Sequence, residues 1–128
     1  FESSLGLVGA ELWIRDWSQG ISAADGSYWH AIMHRLEPDY PNSKYWFNRV
    51  GPHAIFEQLA EAAPSITDAE ILAGFISPSW DPFGFTDACE TAVRGQLENC
   101  RLDLEQLQEL EFDLLFAHCY QLAIGSPV

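Results

Sequence analysis

Apolar residues recur along this chain at steps of three and four, the helical period, and no run alternates apolar and polar for more than about four residues. Leu7, Val8, Leu12, Trp13 and Trp17 predict a helix over about 5–17. Gly20 and the Asp25-Gly26 pair then read as a loop. Ser27 can cap a second helix carrying Trp29, Ile32, Met33 and Leu36, which ends at Glu37 because Pro38 disfavours helical geometry before it. Pro38 to Pro41 form a rigid turn, and Asn42 or Ser43 caps a helix through Tyr45, Trp46, Phe47 and Val50, stopped by Gly51. Pro52 opens the next helix in its first turn, with Ile55, Phe56, Leu59 and Ala63 as its stripe. Thr67 and Glu70 read as a capping box for a short helix through Ile71 and Leu72. Asp81-Pro82 starts a helix over about 82–97. The clearest period is the last. Leu104, Leu107, Leu110, Leu114, Leu115, Cys119 and Leu122 line one face over 103–124, and Glu105, Glu109 and Asp113 line the other. The expectation is an all-α fold: a single compact domain of about six helices spanning residues 1–128, with irregular rather than up-down connections.

Composition narrows the function. Six basic residues against nineteen acidic ones leave the 128-residue chain at −13, a charge that repels phosphate backbones. Nucleic acid and anionic membrane are therefore not expected partners. No apolar run approaches the roughly 20 residues that span a bilayer, and no basic segment leads into a leader-like apolar run. Three cysteines, Cys89, Cys100 and Cys119, lie in helical patterns without a C-x-x-C pair, so they read as core thiols in a reducing, cytoplasmic setting.

The charge is uneven. From Ser27 to His53, Arg35, Lys44 and Arg49 outweigh Glu37 and Asp39, and three of the four histidines fall there. On a helix His30, His34 and Glu37 lie within about 60° of one another, one stripe of the surface. Histidines four apart can share one divalent transition metal ion, and Glu37 would be the next ligand along. His53, His118, Glu11 and Asp16 are the further ligands that only folding could bring near. Without a metal, His30 or His34 would serve as general base and Glu37 as the acid or base partner. Lys44, Arg49, Asp39, Asn42 and His53 would then hold a small anionic ligand, with Trp29 and Trp46 as planar walls. The competing reading is an interaction or structural module, including a homodimer through 103–124, in which the histidine and aromatic cluster only orders the turn. Nucleophilic catalysis has little support, since no G-x-S-x-G occurs and the neighbours His118 and Cys119 diverge on a helix.

The run YWHAIMHRLEPDYPNSKYWFNRVG, Tyr28 to Gly51, resembles the common string of a family of uncharacterised bacterial and fungal proteins. Trp80 to Glu90 and Glu109 to Tyr120 look like further parts of that pattern. The resemblance implies that Tyr28–Gly51 is one structural unit. It implies no activity.

Overall fold

A computed structural model describes residues 22–124; the helix expected over 5–17 lies outside the described residues. Among those described the protein is all-α. Five α-helices, α1 (Ala23–Leu36), α2 (Tyr40–Val50), α3 (Ala54–Ala62), α4 (Pro82–Val93) and α5 (Arg101–Ile124), are joined with three short 3-10 turns, and no strand is present. No described helix is long and apolar enough to cross a membrane. The chain divides into two compact units, one reaching to Gly51 and taking in the end of α5 from His118, the other Pro52–Ala117.

In the first unit α1 and α2 form a hairpin across the three residues Glu37 to Asp39. The helix expected to be capped by Ser27 is capped five residues earlier. Ser22 is its cap, its Oγ accepting from the Asp25 amide at 3.1 Å. Ser22-x-x-Asp25 is a capping spacing, and it overrides the turn tendency of Asp25-Gly26. The cap of α2 is Asp39, which accepts from the Asn42 amide at 3.4 Å, rather than Asn42 or Ser43. Pro41, in the first turn, lacks an amide that would otherwise go unpaired there. Ser43 is fully buried, and its hydroxyl donates to the Ala31 carbonyl across the hairpin at 2.7 Å. Two small residues at that crossing let the helices approach closely. Tyr28 meets Phe47 edge-on, ring centroids 5.3 Å apart. Trp29 is 1% exposed, and its indole N–H donates to Cys119 Sγ at 3.4 Å.

In the second unit Pro52 is not the first residue of a helix; His53 is the cap of α3, its Nδ1 accepting from the Ile55 amide. The capping box expected at Thr67 and Glu70 is absent. The Thr67 hydroxyl donates to Asp103 at 2.7 Å and accepts from the Ala69 amide, and Glu70–Phe75 is a 3-10 turn. Phe75, Trp80 and Phe85 form one aromatic cluster with centroids 5.0 to 5.4 Å apart. Helix α4 stops at Val93, four residues short of expectation, as the chain turns through Gly95 at φ +90°. On α5 the buried line is Leu104, Leu107, Glu111, Leu115 and Cys119. Glu111, which was not in the expected stripe, thus sits fully buried on this line, while Leu122, which was, is exposed. The three cysteines are free and buried.

Gly84 marks the tightest packing in this unit. A Cβ there would lie 2.9 Å from Phe75 Cβ and 3.1 Å from Asp81 Oδ2. Replacing glycine by alanine inside a helix is worth about 1 kcal/mol of propensity, whereas overpacking costs about 1–3 kcal/mol. Because Phe75 Cβ is attached directly to the backbone, the clash prevails. Gly84→Ala is expected to lower the urea midpoint by the equivalent of about 1 kcal/mol; an unchanged or higher midpoint would show that the Phe75 cluster yields freely.

Candidate metal centre

Asp25 lies in the first turn of α1, where unpaired amides and the helix dipole favour an anion. It is 2% exposed. His118 reaches it from α5, Nε2 standing 3.4 Å from Asp25 Oδ2. Trp29, one turn along α1 from Asp25, meets Cys119, the residue after His118. The two contacts together hold the imidazole against the carboxylate. A buried carboxylate and a partly buried imidazole that face one another in this way could hold a metal ion.

A buried carboxylate beside an imidazole suits a borderline divalent cation. Nε2 of His118 and a carboxylate oxygen of Asp25 already face one another. His53 is held otherwise, as the cap of α3, its Nδ1 accepting the Ile55 amide proton. Cys119, although adjacent, is no ligand. Its sulfur faces the Trp29 indole and accepts that N–H, and burial pushes its thiol up to about 11, the Trp29 hydrogen bond opposing this only in part and the Asp25 charge adding to it.

The residues singled out in Tyr28–His53 are distributed differently. His30 and His34 do share a stripe, their rings stacked at 6.4 Å. With Glu37 they do not make a group of the metal-holding kind among the described residues. His30 lies flat on Trp46 at 4.4 Å and 18°. Glu37 Oε1 is 3.3 Å from His34 Nδ1, yet Nδ1 is buried without a hydrogen bond, the alignment being poor. Asp39 is spent as the α2 cap and also accepts from Asn42 Nδ2 at 3.4 Å. Lys44 is half-buried, and Arg49 is exposed over Tyr45 and Trp46. Trp29, expected as a wall for a ligand, is instead a core residue closed off from solvent. Asp25 was not among the expected ligands. Its signal was the Ser22-x-x-Asp25 spacing, which places a carboxylate at a helix start, but nothing in that spacing names His118.

Burial, and secondarily the neighbouring His34, hold the His30 imidazole below its ordinary 6.5. The unfolded chain therefore takes up this proton first as the pH falls. The contribution of His30 to stability is present above about pH 6.5 and is lost as pH falls through the folded value, beneath which it is constant. The difference in unfolding free energy between the protein and His30→Phe is expected to shrink on going from pH 7 to pH 5; a difference that grows would contradict the neutral stack on Trp46.

No protein-family model, curated protein or solved structure matches this chain.

Proposed function

We propose that this protein binds one divalent transition metal ion, of the zinc class, through Asp25 and His118. The observation that carries this is the approach of His118 Nε2 to within 3.4 Å of the buried Asp25 carboxylate. An imidazole beside a carboxylate favours Zn²⁺, Co²⁺ or Ni²⁺ over the oxygen-seeking Mg²⁺ and Ca²⁺. Two protein ligands leave coordination positions for water or a ligand molecule, the arrangement of sites in which the metal acts as a Lewis acid.

The test is metal uptake by protein first stripped with chelator, followed by calorimetry and elemental analysis after desalting. One equivalent of Zn²⁺ or Co²⁺ is expected for the protein and for His30→Ala/His34→Ala, and none for Asp25→Asn or His118→Ala. Uptake lost in the His30/His34 pair but kept in the Asp25 and His118 variants would move the site to the hairpin stripe. No uptake by the unaltered protein would refute metal binding altogether.

A further inference from the structure

The outer face of α2 carries a second arrangement, independent of the metal reading. Tyr45 is 51% exposed and meets Trp46 edge-on, centroids 5.3 Å apart. Trp46 is pinned from α1 by the stacked His30 ring at 4.4 Å. The Arg49 guanidinium lies 5.9 Å from the Tyr45 ring centre and 5.6 Å from that of Trp46. What distinguishes Arg49 is the company it keeps. Arg94 and Arg101 pair with Glu90 and Glu105 one turn away. Arg49 has no carboxylate within 4.0 Å among the described residues, on a chain with nineteen of them. The three acids of the hairpin are engaged elsewhere, Asp25 against His118, Glu37 beside His34 and Asp39 as the α2 cap.

An exposed arginine steadied on aromatic faces has its orientation set before a ligand arrives, so less freedom is lost on binding. Its N–H fork matches a carboxylate, for which it forms two parallel charge-assisted hydrogen bonds. Tyrosine, tryptophan and arginine are also the residue types that dominate protein interfaces energetically. The face is an open helix surface, which suits an extended chain rather than an enclosed small molecule. We propose that Tyr45, Trp46 and Arg49 form a docking ledge for an acidic segment of a partner protein, an Asp or Glu side chain meeting Arg49 and a neighbouring apolar side chain covering Tyr45. Charge complementarity selects this occupant. Among the described residues the ledge is a cation without an internal anion, and a carboxylate from a partner supplies the missing charge.

The test uses the whole chain, isotopically labelled, titrated with an acetylated and amidated Glu-Tyr-Glu peptide, with its Gln-Tyr-Gln counterpart and with benzoate, while backbone, indole and arginine side-chain signals are followed. The acidic peptide is expected to move the signals of Tyr45, Trp46 and Arg49, with at least tenfold weaker binding of the Gln counterpart and at least tenfold weakening by Arg49→Gln. Arg49 is exposed, so an unchanged amide spectrum elsewhere in that variant verifies its fold. Equal binding of both peptides, or undiminished binding by Arg49→Gln, overturns the proposal. So does benzoate binding as tightly as the acidic peptide, which would make the ledge a site for small aromatic acids.

Discussion

Zinc at a hundred times its dissociation constant is expected to raise the unfolding midpoint of this protein by about 10 °C, and chelator to reverse the rise. A ligand that binds only the folded state stabilises it by about 2.7 kcal/mol at that excess, and a chain of this size shifts by about 3–5 °C per kcal/mol. The ligands are far apart in the chain: 93 positions separate Asp25 from His118. An unfolded chain does not hold them together, so the linkage to folding is close to complete. His118→Ala should abolish the zinc-dependent rise and lower metal-free stability only modestly, because the lost partner is a partly exposed imidazole 3.4 Å from Asp25. Asp25→Asn should abolish it too, and should lower metal-free stability as well, since the amide has no charge to offer the α1 terminus. Scanning calorimetry with and without zinc decides the matter. A midpoint that zinc leaves in place, or a rise that survives both substitutions, would rule out the proposed centre.

Trp29→Ala is expected to cost about 3–5 kcal/mol, the range for deleting a buried large aromatic side chain. Total stability of such domains is only about 5–15 kcal/mol, so this variant should be close to unfolding at 37 °C. Trp29→Phe should lose far less, about 1–2 kcal/mol, because it keeps most of the buried apolar area and gives up some volume and one weak N–H to sulfur contact. The Cys119 thiol gives a second readout of the same packing. Being buried and protonated at neutral pH, with its value at about 11, it should alkylate in the folded protein only through opening, and much faster in Trp29→Ala. Urea unfolding followed with timed iodoacetamide labelling measures both. A Trp29→Ala loss below about 1.5 kcal/mol would mean that neighbouring side chains collapse into the vacated volume.

The helical character of the chain was legible because period and caps are local. His30, His34 and Glu37 stand on one stripe as helical spacing requires, and Gly51 closes α2 where expected. The misreadings were also local competitions. Asp25-Gly26 carries a turn signal and Ser22-x-x-Asp25 a cap signal, and the cap prevailed because the apolar faces of the following turns, Tyr28, Trp29 and Ile32, bury against neighbours. Glu111 could not be recognised as buried, because a glutamate among leucines at helical spacing looks the same whether its side of the helix is covered or bare. Periodicity ranks faces by average hydrophobicity and does not report which position lies under a neighbouring element.

By itself the amino-acid order determined the helices, the hairpin of α1 and α2, and the concentration of aromatic and cationic groups along it. Those properties depend on backbone preferences and on residues three or four apart, within reach of one another before anything packs. Tertiary structure alone decided that Asp25 meets His118, that Trp29 is sealed against Cys119, and that His30 covers Trp46 rather than turning with His34 toward a shared ion. Such meetings are settled by how bulky faces interlock. A helix's own period states the direction in which a side chain leaves the axis, while what waits there belongs to another part of the chain.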